Sequence, residues 1–114
     1  MRSRDLVNND RDQHQDILRR FKERHKITEA VWTNELNGRF ICSIPKAGIA
    51  NAAMRDWFRA GLKGESYISP VYISGITKNR CVTLSMPYVD ENGQIAGIVG
   101  VDLNLDMLRS EIKR

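Results

Sequence analysis

Three features of the 114-residue sequence predict an α+β domain on a five-stranded antiparallel sheet. Two pairs of strand-like runs are each joined through a tight turn, at Asn37-Gly38 and at Glu91-Asn92-Gly93. Helix-forming segments fall before, within and after the strands rather than between every pair of them. A doubly wound parallel sheet needs a crossover helix at each step, and the later gaps are too short to hold one.

Residues 10 to 27 place Ile17, Leu18 and Phe21 at helical spacing among charged residues, without Gly or Pro, so a polar helix with a narrow apolar stripe is expected there. Such a stripe can cover one sheet face or pair with its copy in a weak homodimer. ITEAVWTNE and RFICSIP follow as strands about Asn-Gly, which supplies the positive φ angles of a hairpin turn. Asn51 is expected to cap a helix with the body AAMRDWFRAGL, and Gly64 to end it. Met54, Phe58 and Leu62 on that helix read as core. PVYIS is a shorter strand, CVTLSMPYVD and QIAGIVGVDL form the second hairpin, and LDMLRSEIKR closes the chain as a short helix.

Composition is that of an ordinary globular domain, 41% hydrophobic and 28% charged. No run of about 18 apolar residues occurs, and MRSRDLVNND lacks the apolar centre of a signal peptide, so the chain reads as a soluble unit or as a piece of a larger membrane protein. The net charge of +4 is spread along the chain. Its one local excess, Arg19, Arg20, Lys22, Arg24 and Lys26, has no aromatic interleaving and argues for a solvated helix face rather than a nucleic-acid contact. His14 and His25 fall on the same helix and are expected in solvent. Cys42 and Cys81 are too few for a zinc site and, lying in separate strands, are expected as buried free thiols.

Period-two reading of the last two strands divides each into a greasy and a small or polar face. Val82, Leu84 and Met86 oppose Cys81, Thr83 and Ser85. Val99, Val101 and Leu103 oppose Ala96, Ile98, Gly100 and Asp102. If the two strands align in register, the small faces form a floor of hydroxyls edged by a carboxylate, which suits a polar small molecule. Asp102 is the anomaly, because an ionised carboxylate inside a strand needs a partner, an exposed end or a cationic ligand. Its structural alternative is a cap on the segment that follows.

The segments GRFICSIPKAGIANAAMRDWFRAGLKGESYISPVYIS and VTLSMPYVDENGQIAGIVGVDLNLDML, in this order, resemble the Cache domains, PAS-like sensor modules of bacterial chemoreceptors and sensor kinases. That resemblance implies a PAS-like sheet with a long N-terminal helix on one face and a ligand pocket on the other. It also implies one sensor domain over residues 1–114, with its core at about 28–104. A periplasmic location, anchored by flanking membrane helices that this chain lacks, is implied as well. Carried over position by position, the ligand contacts are Arg55 and Trp57 of an Arg-x-Trp segment, Tyr72 or Tyr67 as the later Tyr, and Asp102. Thr83 and Ser85 join them from the polar floor. The earlier Tyr of the family pattern is Ala50 here.

The chemistry of these side chains suits an amino acid, amine or carboxylate. Arg55 offers a fork for a carboxylate, Asp102 an acceptor for an ammonium, and the aromatic rings offer flat walls with cation–π contact. Catalysis is not expected. The sequence has no nucleophile elbow, no His and carboxylate at ligand spacing, no phosphate-cradling glycine loop and no Cys-x-x-Cys-His, so neither metal nor cofactor is called for. Gly97 and Gly100 are strand glycines. The reading is a non-enzymatic ligand-binding sensor domain of a bacterial transmembrane receptor. A ligand-free dimerisation module and a soluble intracellular PAS-like domain are the alternatives.

Overall fold

A computed structural model describes residue 6 and residues 9–75 and 77–112; the expected C-terminal helix runs past Ile112 into residues that lie outside those described. The helices are α1 (Arg11–Arg24), α2 (Asp56–Leu62) and α3 (Leu105–Ile112). The strands are β1 (Thr28–Asn34), β2 (Phe40–Ile44), β3 (Tyr67–Ile68), β4 (Tyr72–Ile73), β5 (Arg80–Val89) and β6 (Ile95–Asn104). All pairings are antiparallel, in the order β2-β1-β6-β5-β3, with β4 also on β5. The five expected sheet positions are present, but the last is shared by two short strands. Ser69 N still donates to Thr83 O at 2.9 Å, and Pro70 breaks the edge between the two strands, since Pro offers no N–H for a ladder.

Local chemistry explains the turns. Gly38 at φ +91° and Gly93 at φ +79° take left-handed conformations in the two hairpins. Asp90 holds the second turn by accepting from Asn92 N (2.8 Å) and Gln94 N (3.0 Å). Asp10 caps α1 by accepting from Gln13 N at 3.1 Å. The middle helix differs from expectation. Asn51 bridges to Arg39 at the edge of β2, and its Oδ1 accepts from Ala53 N at 2.7 Å in a local turn. The helix therefore starts only at Asp56, with Arg55 at the cap position and no side-chain cap. The late start leaves Met54 outside the helix and 77% exposed, and Leu62 is exposed at its end. Of the three residues read as core, Phe58 alone is buried, against Ala52 and Ile98.

The sheet is covered on both faces. On one, α1 packs Leu18 against Val31 and Cys42, with Phe21, Ile44 and Val101 around them. Leu6, Tyr88 and Val99 extend this layer, with Ile17 against them. Each such buried side chain contributes about 1.5–3 kcal/mol. Ile17, Leu18 and Phe21 thus spend the apolar stripe of α1 on the sheet. On the opposite face, α2 lays Phe58 over Ile98 and Trp57 beside Trp32. Cys42 and Cys81 are buried free thiols, on β2 and β5.

His14, expected in solvent, has no exposed surface. Its Nδ1 lies 2.8 Å from Thr33 Oγ1, its Nε2 lies 2.9 Å from Leu6 O, and its ring meets Tyr88 edge-on at 5.8 Å. The Tyr88 hydroxyl donates to Asn9 Oδ1, so one polar cluster fastens the segment before α1 to the sheet. A charged helix pattern hid this position because both hydrogen-bond partners come from elsewhere in the chain. Burial lowers the His14 pKa, opposed by the Leu6 carbonyl and by Asp10. The unfolded chain then binds the extra proton, so this contribution is fully present above pH ~6.5 and is lost as pH falls through the lowered folded value. Thermal melts from pH 7.5 to 5 should therefore show a decline in Tm that flattens in His14→Gln; a variant slope equal to the wild type would assign the decline to other groups.

Candidate functional site

The hairpin of β5 and β6 builds the site. Its register pairs Thr83 with Asp102 and Ser85 with Gly100, which brings the two small faces together under α2. On the other side of β6, Ala30 faces Asp102 and Trp32 faces Gly100. Thr83 Oγ1 donates to Asp102 Oδ1 at 2.6 Å. The Tyr72 hydroxyl, from the short strand β4, lies 3.1 Å from Thr83 Oγ1 and close enough to the carboxylate to help lower its pKa. Asp102, Thr83 and Tyr72 therefore form one hydrogen-bonded group.

The electrostatics of that group are one-sided. Burial raises the Asp102 pKa; the hydrogen bonds from Thr83 and Tyr72 oppose this, and the nearby charge of Glu29 adds to it. Among the described residues no cation forms an ion pair with Asp102. Tyr72 is pushed up to about 12, chiefly by burial. Cys81, directly beside Tyr72 in the ladder, is pushed up to about 11 by burial and then by Glu29 and Asp102. All three shifts express an acidic, partly desolvated corner.

Glu29 was not legible as part of this corner. Alternation sends it to the face opposite Ala30, but the β1–β6 pairing shifts register between Thr28 and Ala30. A bulge of this kind re-aims a side chain. Glu29 Oε2 accepts from Asn104 Nδ2 at 2.9 Å, and both its oxygens accept from Thr77 Oγ1. Asn104 Oδ1 in turn accepts from Met107 N at 2.9 Å and caps α3. The capping role considered for Asp102 thus belongs to Asn104.

The remaining expected residues are spread out. Trp57 is half-buried, 5.2 Å from the Trp32 ring and 6.2 Å from Phe58. Ser85 Oγ donates to Trp57 O at 3.0 Å, which ties α2 to the floor. Tyr67 pairs with Ser85 at the sheet edge. Arg55 is exposed, and among the described residues no hydrogen bond or ion pair joins it to Asp102. Trp32, 6% exposed, was not singled out by the sequence, and its indole nitrogen is buried without a hydrogen-bond partner among the described residues. On the α1 side of the sheet a hollow of about 390 Å³ is walled by Phe21, Leu84, Met86, Val99 and Val101, with Tyr67 and Ser85 at its rim. Asp102 does not line it.

Residues 23–110 match the model of the methyl-accepting chemotaxis protein-like first PDC sensor domain. The chain belongs to that family. Among curated proteins, this sensor domain is 31% identical over 99 residues to a probable methyl-accepting chemotaxis protein of Bacillus thuringiensis, covering 81% of this chain and 14% of that protein. It is 30% identical over 107 residues to a citrate (Re)-synthase of Syntrophus aciditrophicus, covering 83% of this chain and 17% of that protein. The chain therefore spans about a sixth of the length of these relatives. Among solved structures, the ligand-binding domain of the Pseudomonas fluorescens chemoreceptor CtaA in complex with L-valine superposes with a TM-score of 0.71 at 21% identity. That match covers 93% of this chain and 49% of the other, and it establishes the shared α+β fold.

Within this sensor domain, two substitutions probe the floor. A Cβ on Gly100 would sit 2.5 Å from Trp32 Cε2 and Cζ2, below any van der Waals separation, against a rigid ring rather than a flexible chain end. Gly100→Ala is expected to lower stability by about 1–3 kcal/mol, read by denaturant unfolding, and to shift the Trp emission.

A raised carboxylate pKa has the opposite sign from a salt-bridged one. The folded state holds the proton longer than the unfolded chain, so ionising Asp102 subtracts stability as pH rises from the ordinary carboxylate range through the raised value. Asp102→Asn keeps an acceptor for Thr83 and removes that charge. Its unfolding free energy should match or exceed the wild type at pH 7, with the difference vanishing near pH 3; a large loss at pH 7 would mean that the fold needs the charge.

Proposed function

We propose that this domain is the extracytoplasmic ligand-binding module of a transmembrane signalling receptor, and that its ligand is a small amine, of which an amino acid is the leading case. One observation carries the reading: Asp102 is a half-buried carboxylate with Glu29 nearby, the Thr83 hydroxyl donating to it, the Tyr72 hydroxyl behind Thr83, and no cation paired with it among the described residues. An ammonium is the group that would relieve this charge, and Trp57 and Tyr72 lie in the same layer to supply aromatic faces. Family membership supports the sensor role, and the CtaA structure with L-valine illustrates an amino-acid ligand on the same fold. A carboxylate on the ligand would be met by Arg55 only if the segment ahead of α2 closed over the floor.

In this reading the 114 residues act as one sensor unit and carry out no chemistry of their own. Output, membrane anchorage and periplasmic placement belong to the longer protein. Among the described residues no helix is long and apolar enough to cross a membrane, so anchoring would fall to flanking segments. Signalling would follow from a ligand that binds two states of the domain unequally, through closure of the loops at residues 45–51 and 64–72. Self-association through α1 would have to use its charged outer face, because its apolar residues are already against the sheet.

A thermal-shift screen tests the reading with L-amino acids, primary amines lacking a carboxylate, and monocarboxylates. A ligand at about 100 times its Kd should stabilise the fold by roughly 2.7 kcal/mol. Asp102→Asn should abolish the gain for amines, and Arg55→Ala should weaken only ligands that bear a carboxylate. Stabilisation by an amine that survives in Asp102→Asn would overturn the site. No response to any amine would favour the ligand-free module.

A further inference from the structure

β2 forms the outer edge of the sheet, and a cavity of about 400 Å³ opens beside it. Three cations from three separate segments line this cavity: Arg11 at the start of α1, Arg39 in the turn before β2, and Lys46 in the loop after it. Phe40, Ile49 and Ala50 supply apolar wall between them. The volume falls within the range of small-molecule sites, and the lining combines a few charged groups with apolar surface as such sites do.

The charges are poorly compensated from within the chain. Glu35 reaches Arg39 at 4.0 Å, and no carboxylate is among the residues that line the cavity. Lys46 makes no ion pair among the described residues. Asp10, beside Arg11 in sequence, is occupied in capping α1 at Gln13 N, and Asp12 does not line the cavity. Arg11 is held in place, because its Nε donates to Ile41 O at 3.0 Å, and among the described residues its guanidinium forms no ion pair. With one of the three positive charges offset by Glu35, two remain for a ligand to meet.

We propose that this cavity is a second binding site, distinct from the Asp102 floor, and that it takes a small organic dianion of the dicarboxylate class. Two carboxylates match the two unmet charges, with the Arg11 terminal nitrogens donating to one, the Lys46 ammonium donating to the other, and Arg39 adding a further donor beside them. The methylene body of the ligand covers Phe40, Ile49 and Ala50, which a bare inorganic phosphate would leave exposed. The site is reached from the α1 side and the sheet edge, whereas Asp102 lies under α2, so the two can be filled independently.

NMR titration of the whole domain at constant ionic strength tests this, with succinate, inorganic phosphate and chloride as probes. Succinate should shift the amides of residues 46–50 saturably, and phosphate should bind more weakly. Lys46→Gln and Arg39→Gln should each weaken succinate about tenfold, as expected for loss of one charge-assisted hydrogen bond. Asp102→Asn should leave the titration unchanged, so failure here and failure of the amine site are separate results. The proposal is overturned by non-saturating shifts that chloride reproduces, by phosphate binding tighter than succinate, or by full succinate affinity in the Arg39→Gln/Lys46→Gln double variant.

Discussion

The register of β5 against β6 is the constraint on which the molecule depends. Side chains alternate along a strand, so a slip by one residue would carry Asp102 to the α1 face, among Leu18, Val31 and Val101, and away from the Thr83 hydroxyl that now donates to it. It would also put Val99 or Val101 where Gly100 now lets the Trp32 ring lie flat on the sheet. Three features hold the register: the Asp90 turn, the irregularity between Tyr88 and Val89 that absorbs one residue beside it, and the close approach of Trp32 to Gly100. The first two act locally. The third links the hairpin to β1, and through β1 to the edge strand.

Much of this was legible from residue order alone, for identifiable reasons. Gly38 and Gly93, each following an asparagine, mark turns at a positive φ that glycine adopts most readily, and the alternation across Thr83, Ser85, Gly100 and Asp102 fixes a face once antiparallel pairing is granted. What sequence could not give was decided by contacts between distant segments. His14 reads as one more polar residue on a charged helix until Thr33 and Leu6 meet both its nitrogens. Asn51 has the chemistry of a helix cap but is drawn to β2, and the delay exposes Met54. Glu29 enters the site only because a bulge breaks the period that would have excluded it.

A half-buried carboxylate with no cation paired to it among the described residues is held at an energetic disadvantage, and the hydroxyls of Thr83 and Tyr72 reduce that disadvantage without removing it. An asparagine in its place would keep the hydrogen bond from Thr83 and shed the desolvation cost. Packing alone therefore gives no reason for an acid at this position. The partners also differ in rigidity. Thr83 belongs to a ten-residue strand paired on both sides, while Tyr72 belongs to a two-residue strand beside a proline. Of the two hydroxyls beside Asp102, that of Tyr72 is therefore the less rigidly held.

The same acid stands close to the start of α3. β6 passes directly into α3, Asn104 ending the strand and Leu105 beginning the helix, with no loop to absorb a displacement. Asn104 is gripped at both ends of its side chain, donating to Glu29 and accepting from the first turn of α3, while Asp106 in that turn is chelated by the Arg80 guanidinium and backbone N–H. Glu29 interacts electrostatically with Asp102 and by hydrogen bond with Asn104. A positive charge arriving at Asp102 would act on Glu29 as well, and any shift of Glu29 would bear on the cap of α3. Asp102 and the start of the terminal helix are therefore joined by a short path of named side chains, which gives a change at one a direct physical means of reaching the other.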